Sequence, residues 1–427
     1  METEALRAQA RHAASVQSGR RHALAVLAGL GAWACVPHSA LARTDARTDR
    51  SNTTNNSSTG QPGNSESESQ SNDSITLAAA WEHQGSYHIG LLHTRNGSAN
   101  ALQVQASLDV PTRAHGLCVL PDGSVLATAR RPGDWLVRWW PGHTTEPQWL
   151  WQQGDRSFNG HVLASADGQH LYTTETDVET GASLIGVRNA HTLQPVAEWP
   201  THGIDAHGLT WDTRSGSSNG SVKGPDHGDS PTLIVANGGV PTAPETGRVK
   251  RDLGTMDSSI VRLDGHTGQL RGQWRLQDKR LSLRHLAWSP DGTTLGIALQ
   301  AEHDNTATKN TAPVLALFDG SALRVVATPE AIASTLHGYG GSMAATPTGW
   351  AVSCPRANGI ATFSLRGEWQ GLVPLAEVCP LAVKGGELWA GGRDNSLQSA
   401  QAAAPLEHPH SPALNGARLD NHWVLAA

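Results

Sequence analysis

The sequence has little of several residue types that mark particular protein classes. Its 427 residues include only 4 Cys, 3 Met, 3 Tyr and 3 Phe, and 16% of them are charged. So few cysteines exclude a disulfide-rich miniprotein. No apolar run approaches the roughly 18 residues of a spanning helix, which excludes a membrane bundle. The formal net charge of −6 argues against a basic nucleic-acid surface.

What the sequence has in abundance points to many short strands. The 45 Gly and 23 Pro favour frequent turns over long helices and exclude a coiled coil. Apolar residues make up 38% of the chain, which is enough for a large core. The 15 Trp are expected to pack between sheets.

The N-terminal segment has the features of an export signal. Arg20 and Arg21 precede a mostly apolar stretch, and Ala40-Leu41-Ala42 has the form of a cleavage site. We therefore interpret residues 1–42 as a twin-arginine-type signal peptide, which predicts a periplasmic protein. Residues 43–74 are mainly Ser, Asn, Thr, Gly and Glu, and a segment so poor in apolar residues is expected to be a disordered linker.

Cleavage near residue 42 would remove one of the four cysteines. The mature chain would keep Cys118, Cys354 and Cys379, an odd number that leaves at least one free thiol. Cys354 and Cys379 are candidates for a disulfide, which the sequence alone does not establish.

A repeat organises residues 75–427. A small or polar residue, often His, is followed by an apolar strand, an Asp-Gly or equivalent turn, and a second apolar strand, as in AHGLCVLPDGSVLATAR (114–130). His115, His161 and His207 are 46 residues apart, and His285 follows after 78 because residues 213–230 and 241–256 interrupt the pattern. Four short strands per period of about 40–50 residues predict a β-propeller.

The two ends of the repeat region predict the blade number. Residues 420–427 resemble an innermost strand without a following partner, and residues 75–109 resemble three strands without an innermost one. Together they would form one blade, closed by pairing of the N- and C-terminal strands. The fold prediction is therefore an all-β, seven-bladed propeller, with a large sandwich or a ring of six or eight blades as alternatives.

Aligning the repeats by their turns predicts a ring of side chains at one level of the central channel. Neutral imidazole and thiolate are ligands for Fe, Cu or Zn, so this ring is a candidate metal or ligand site. Imidazoles that only bond backbone or water are the structural alternative. The ring consists of His115, His161, His207, His285, Ser342, Cys379 and His422.

A second set of residues ends the second strand of each blade, which returns to the same face. Several are arginines, which favour an anion because guanidinium binds carboxylate or phosphate through two hydrogen bonds. A solvated charged rim is the structural alternative. The predicted rim consists of Arg130 with Arg131, Glu175, Asn237, Gln300, Arg356 and Arg393.

Several stretches resemble one family of exported bacterial proteins, catalogued as domain of unknown function 1513. They are FNGHVLASADGQHLYTTETD, THGIDAHGLTW, LIVANGGVPT, SLRHLAW and the terminal DNHW, and the resemblance covers nearly all of residues 75–427. It implies a propeller with a twin-arginine leader, often encoded beside periplasmic iron-uptake proteins of the imelysin type. It implies no reaction.

Three functions are compatible with these patterns. The first is a periplasmic binding module for a metal ion or an anionic metal complex, with Fe or Cu as the metal and iron-uptake proteins as partners. The second is a metal-dependent redox or hydrolytic enzyme, with Glu175 as a candidate general base. The third is a scaffold that docks another protein and uses the histidine ring only structurally. No nucleophile–base motif favours an enzyme.

Overall fold

The computed structural model describes residues 74–95, 100–214, 231–242, 249–250, 252–399 and 405–426. The predicted signal peptide (1–42) and linker (43–74) lie outside these ranges, except Ser74, which begins the first strand. No helix within these ranges is long and apolar enough to cross a membrane.

Five antiparallel sheets each contain four strands that are consecutive in sequence. The first has β4 (Ala114–Val119), β5 (Val125–Ala129), β6 (Trp135–Trp139) and β7 (Gln148–Trp151). The second has β8 (Arg156–Ala164), β9 (His170–Asp177), β10 (Ser183–Asn189) and β11 (Pro195–Pro200). The third has β12 (Ala206–Trp211), β13 (Thr232–Asn237), β14 (Ser259–Asp264) and β15 (Leu270–Trp274).

The remaining two of these sheets follow the same plan. The fourth has β16 (Leu281–Trp288), β17 (Leu295–Ala301), β18 (Leu315–Phe318) and β19 (Leu323–Val325). The fifth has β20 (Met343–Thr346), β21 (Gly349–Cys354), β22 (Gly359–Ser364) and β23 (Trp369–Pro374).

An eight-stranded sheet combines the two ends of the described chain. Its N-terminal strands are β1 (Ser74–His83), β2 (Ser86–Arg95) and β3 (Gln103–Val110). Its C-terminal strands are β24 (Leu381–Lys384), β25 (Glu387–Gly391), β26 (Asn395–Ser399), β27 (Leu406–Pro409) and β28 (Arg418–Leu425). The strand order is β27-β26-β25-β24-β28-β1-β2-β3. β28 pairs antiparallel with β1, and a single parallel pair joins β28 to β24.

Helices are short and lie in connections between strands. Within the described residues, the α-helices are α1 (Thr306–Thr311) and α2 (Glu330–Ala333). α1 begins after Asn305, whose side chain accepts a hydrogen bond from the Thr308 amide, as N-cap residues do. Single 3₁₀ turns occupy Leu253–Thr255, Ser334–Leu336, Pro355–Ala357 and Pro412–Leu414.

The predicted Asp-Gly turns are confirmed between the first two strands of three sheets. In the turn between β4 and β5, Gly123 has φ +78° and the Asp122 carboxylate accepts a hydrogen bond from the Ser124 amide. Glycine adopts this positive φ without the steric cost that a Cβ would add. Gly168 and Gly292 adopt the same conformation, with φ +68° in both cases.

The apolar core lies between neighbouring sheets. One buried cluster joins Ala78 and Ile89 of the eight-stranded sheet to Val125 and Trp135 of the next sheet. Trp135 is fully buried, and its indole N–H donates to the Thr112 hydroxyl at 2.8 Å. Replacing such a buried Trp by Ala typically costs about 3–5 kcal/mol. Trp residues thus pack between sheets, as the composition suggested.

The first strands of the sheets approach one another and position the candidate site. β4 contacts β8, β8 contacts β12, β12 contacts β16, and β16 contacts β20. β20 contacts β24, and β28 contacts both β24 and β4. This is an all-β, propeller-like arrangement, in which residues at one position of the repeat converge on a common centre.

Candidate metal centre

The first strand of four successive sheets is irregular at the same place. In β4, β8, β12 and β16, the pairing register with the second strand of the sheet shifts within the strand. Such bulges re-aim side chains that regular alternation would point elsewhere. The residues that the regular pairing skips include one histidine in each strand, namely His115, His161, His207 and His285.

These four histidines meet a fifth, His422, from β28. In nine of the ten ring pairs of this group, the ring centroids lie 4.5 to 5.8 Å apart. The Nε2 atoms of His207 and His285 are 3.3 Å apart. The first four side chains are buried and His422 is partly buried. We call these five residues the histidine cluster. The structure therefore brings together all five histidines of the predicted ring.

Glycines beside the histidines allow the strands to come this close. A Cβ on Gly116 would lie 2.3 Å from the carbonyl oxygen of Gly160, and one on Gly208 would lie 2.4 Å from that of Arg284. Real Cβ atoms essentially never approach that closely. The His-Gly pairs of β4 and β12 are thus required by the close approach of neighbouring strands.

Asp420 anchors the cluster from β28. Its buried carboxylate accepts hydrogen bonds from His115 Nδ1 at 2.7 Å and from the backbone amide of Asn421 at 2.6 Å. The same carboxylate also pairs with Arg113 Nε. Burial by itself raises the pKa of Asp420, but His115, Arg113 and Arg130 more than offset this, so the pKa lies well below its usual range. The carboxylate is therefore ionised.

The Asp420 contact fixes the tautomer of His115. Because an ionised carboxylate can only accept, His115 must carry its proton on Nδ1, which leaves a lone pair on Nε2. That Nε2 atom is buried and has no hydrogen-bond partner. A carboxylate behind a histidine is the usual arrangement where the other ring nitrogen binds a metal.

The other members of the cluster also have buried ring nitrogens without partners. A buried polar atom left unpaired costs about 1–3 kcal/mol, so five in one place require either water or a ligand as hydrogen-bond or coordination partners. The unpartnered atoms are Nε2 of His115, His161 and His422 and Nδ1 of His207 and His285.

Two groups of three histidines have nitrogen atoms close enough to share an ion. Within each group these atoms lie within 4.8 Å of one another, and His115 belongs to both. Metal–nitrogen bonds of about 2.0–2.1 Å in a tetrahedral site place ligand nitrogens about 3.3 Å apart. The Nε2 atoms of His207 and His285, which contact each other, have that separation, so these two rings would present Nε2 and not their unpartnered Nδ1 to a shared ion. The groups are His115, His207, His285 and His115, His161, His422.

Burial keeps the cluster neutral, the form in which imidazole binds metals. It lowers the pKa of His161, His207 and His285 well below the usual value, and neighbouring histidines lower it further. Burial, with His115, lowers the pKa of His422 to about 3. Burial also lowers that of His115, although Asp420 acts in the opposite direction. Each ring therefore retains a lone pair at neutral pH.

The other two predicted ring members, Cys379 and Ser342, belong to neither histidine group. Burial, together with Asp420, raises the pKa of the Cys379 thiol to about 11, so it is not the thiolate that the sequence analysis considered. The Ser342 amide donates to the Ser353 hydroxyl, which donates to the carbonyl of Cys379. Cys354 and Cys379 are both free thiols, so the candidate disulfide is not formed.

A polar cavity of about 170 Å³ opens beside the cluster, and we call it the histidine cavity. Three histidines lie in its wall, namely His115, His207 and His285. Cationic side chains supply most of the remaining polar lining. They are Arg130, Arg131, Lys250, Arg284, Lys309 and Arg356, and Glu302 is the one carboxylate in the described lining.

The predicted rim is only partly realised. Arg130, Arg131, Gln300 and Arg356 line the histidine cavity. Asn237 does not, because its buried amide donates to the Thr201 carbonyl and the Ser259 hydroxyl. Arg393 is half-exposed, pairs with Glu377 and lies outside the described lining.

Glu175 is also absent from this lining, so its rim position is a correction to the sequence analysis. It is fully buried and pairs with buried Arg188 at 2.6 Å. Its carboxylate also accepts from the hydroxyl of Thr173 and the amide of Gln152. All its near partners are within this network, so Glu175 neutralises a buried arginine and is not placed to act as a general base in the cavity.

Several residues of the site were missed by the sequence analysis. Arg284 directly precedes His285, and Asp420 lies two residues before His422, so their proximity to predicted residues was an available signal. Asp205 pairs with both Arg131 and Arg284 and holds them in the wall. Lys250 lies in an interruption of the repeat, where no repeat position could have identified it.

Of three similar solved structures, only the one with a TM-score above 0.5 bears on the fold, and it shows nothing about function. Hydrazine synthase of Kuenenia stuttgartiensis is 12% identical, with a TM-score of 0.51, covering 81% of this chain and 100% of that chain. A streptogramin B lyase is 14% identical (TM-score 0.47; 71% and 85% covered). A functionally unknown protein of Desulfotomaculum acetoxidans is 11% identical (TM-score 0.48; 82% and 99% covered).

Comparison by sequence gives a family without an activity. No curated protein matches this chain. One family model does match, over residues 108–426, and those residues include every member of the histidine cluster. The chain therefore belongs to the family described as protein of unknown function (DUF1513).

Proposed function

We propose that this protein is a binding module that holds a transition-metal ion, alone or within an anionic complex, at the histidine cluster. The observation that carries the proposal is the unpartnered Nε2 atom on each member of one histidine group, His115, His161 and His422, with His115 held by Asp420 in the tautomer that leaves Nε2 free. Neutral imidazoles suit Cu and Fe among other metals. His115, His207 and His285 would be the ligands that face the cavity.

Binding fits the site better than catalysis does. The carboxylate considered as a general base, Glu175, is committed to Arg188. The Cys379 thiol has a raised pKa and lies outside both histidine groups. The cluster supplies metal ligands, and the neighbouring side chains supply charge. Among the residues of the site described above, the imidazoles are the candidates for a nucleophile or a base.

Titration with Cu(II), followed by electron paramagnetic resonance, tests this proposal. Nitrogen splitting in the spectrum reports imidazole coordination directly. His115→Ala removes a member of both histidine groups, and His161→Ala with His207→Ala removes one member from each. We expect each variant to lower Cu(II) affinity by roughly tenfold or more, since even residues that only support ligands are worth 10–100-fold.

His303→Ala is the matched control, because His303 pairs with Asp278 at 2.9 Å and belongs to neither group. It should leave the affinity and the spectrum unchanged. Equal Cu(II) affinity in wild type and folded His115→Ala would refute the metal centre.

We infer that the sheets form a closed ring of seven blades. The support is that seven first strands contact one another in succession, with β28 between β24 and β4, and that β28 pairs with β1. Trp423 of β28 packs with Ile75 and Leu77 in one buried cluster. Deleting residues 418–427 should therefore abolish cooperative folding. An unchanged melting temperature in the truncated protein would contradict closure by the terminal strands.

Export to the periplasm completes the proposal. Its support is the paired Arg20 and Arg21 ahead of an apolar stretch and a cleavage site. A metal-binding protein in that compartment would serve metal acquisition, as the resemblance to proteins found beside iron-uptake components suggested. Fractionation tests the location, with Arg20→Lys and Arg21→Lys together as the variant. Unimpaired export of this variant would refute the twin-arginine route.

A further inference from the structure

The charges around the histidine cavity do not suit a bare cation. Six cationic side chains line it, and Arg113 lies behind the wall, against the carboxylate of Glu302 in the lining and those of Asp205 and Asp420 behind it. Seven positive and three negative groups leave a formal excess of four positive charges. Because neutral imidazoles add no negative charge, a divalent cation alone would enter a repulsive field.

Most of these cations already have a carboxylate partner. Asp205 pairs with Arg131 and Arg284, and Glu302 pairs with Lys250 and Lys309. These pairs hold side chains in place and satisfy part of their charge.

Arg130 and Arg356 differ from the other cations of the wall. Across the described ranges, neither guanidinium has a carboxylate within ion-pair distance. Arg130 is largely buried, and burial together with nearby Arg113 lowers its pKa, although Asp420, beyond ion-pair distance, acts in the opposite direction. Arg356 lies over the ring of Tyr339, with its guanidinium carbon 4.1 Å from the ring centroid. Stacking of this kind orients a guanidinium while leaving its N–H groups free to donate.

The cavity has space for more than an ion. A water molecule requires about 10–15 Å³ of such volume, whereas the histidine cavity offers about 170 Å³. An organic acid of several carbon atoms therefore fits beside an ion at the histidines. Guanidinium groups recognise carboxylates through two parallel hydrogen bonds.

We propose that Arg130 and Arg356 form a carboxylate subsite beside the histidine cluster, so that the ligand of this protein is a metal ion chelated by an organic polycarboxylate. This inference rests on the proposed function, since the histidines hold the metal. The chelator supplies the negative charge that the wall lacks, and the arginines receive the carboxylate oxygens that do not bind the metal.

The test uses Cu(II) and oxalate as probes of the full-length mature chain. Calorimetry measures Cu(II) alone, oxalate alone, and oxalate added to the Cu(II)-loaded protein. The variant is Arg130→Gln with Arg356→Gln, and Arg393→Gln is the matched control, because Arg393 is an arginine outside the described lining of the cavity. Arg356→Lys is a milder variant that keeps the charge and loses the planar fork.

We expect oxalate to bind the Cu(II)-loaded wild type roughly 10–100-fold more tightly than the loaded double variant, as the loss of charged hydrogen bonds implies. Cu(II) alone should bind the double variant as tightly as wild type or more tightly, because two positive charges are gone. Arg393→Gln should match wild type, and Arg356→Lys should lie between wild type and the double variant.

The outcomes separate the two proposals. Equal oxalate affinity in the loaded wild type and double variant overturns the carboxylate subsite and leaves the metal centre intact. Arginine-dependent oxalate binding without any Cu(II) binding overturns the metal centre and the chelate, and identifies a plain carboxylate site. If the double variant is unfolded by circular dichroism, Arg356→Lys decides, and unchanged oxalate affinity in that variant overturns the subsite.

Discussion

Asp420→Asn is the substitution that most directly tests how the cluster is organised. The asparagine oxygen can still accept from His115 Nδ1, but its amide group places a donor opposite Arg113 Nε. The change therefore removes a charge-assisted contact, worth about 1.5–3 kcal/mol when buried. Because the Arg113 side chain is 40% exposed and can turn towards water, we expect a loss at the lower end of this range, about 1.5–2 kcal/mol, in the free energy of unfolding.

The effect on metal binding should be larger in proportion. Asp420 keeps the proton of His115 on Nδ1, and His115 belongs to both histidine groups. A neutral amide holds that tautomer less firmly, so Cu(II) affinity should fall by roughly 10–100-fold. Urea denaturation followed by Trp fluorescence measures the stability, and Cu(II) titration measures the affinity.

Asp109→Asn provides a matched control. Asp109 also accepts from a histidine, His88 Nδ1, at 2.8 Å, but its side chain is 86% exposed. This substitution should change neither stability nor affinity measurably. If Asp420→Asn binds Cu(II) as tightly as wild type while losing stability, then Asp420 is only a structural anchor and the reasoning about the His115 tautomer is wrong.

Three further predictions concern other parts of the fold. Gly116→Ala should lower the free energy of unfolding by about 1–3 kcal/mol in urea denaturation, because its Cβ would collide with the Gly160 carbonyl; full stability would show that the strands can separate. Glu175→Gln should cost about 3–5 kcal/mol by leaving Arg188 buried without its carboxylate, yet should keep Cu(II) affinity in the folded protein; lost affinity would return Glu175 to the site. Burial lowers the pKa of His410 to about 4. As the pH decreases from about 6.5 to 4, this histidine is therefore protonated in the unfolded chain before it is protonated in the folded protein, and stability falls. Against wild type, His410→Gln should flatten this pH dependence of the urea midpoint, and an identical slope would contradict the assignment.

The repeat allowed the all-β fold to be predicted from the sequence. Alternating strands and Asp-Gly turns are local signals, since a turn such as that at Asp122 and Gly123 depends on residues adjacent in the chain. Equal spacing of His115, His161 and His207 then placed these residues at one level, because equivalent positions of a repeat occupy equivalent positions in the fold.

The direction in which a side chain points was harder to predict than its level along the central channel. The histidines point inward because each first strand is bulged where the histidine lies, and a bulge depends on the pairing of two strands. Glu175 lies two residues before the end of the second strand of its sheet, yet its carboxylate contacts Arg188 of the following strand. The opposite charge that a buried carboxylate such as Glu175 pairs with depends on the packing of neighbouring strands, which sequence position does not reveal.

The sequence by itself determined the all-β architecture and the five histidines of the cluster. Periodicity and turn chemistry are local properties of the chain, and they recur in successive repeats. Only the tertiary structure decided which histidine is held by Asp420, which arginines remain without a carboxylate, and that Lys250 joins the cavity wall. Those features depend on distances between side chains from different sheets, and such distances are fixed when the sheets pack together and not before.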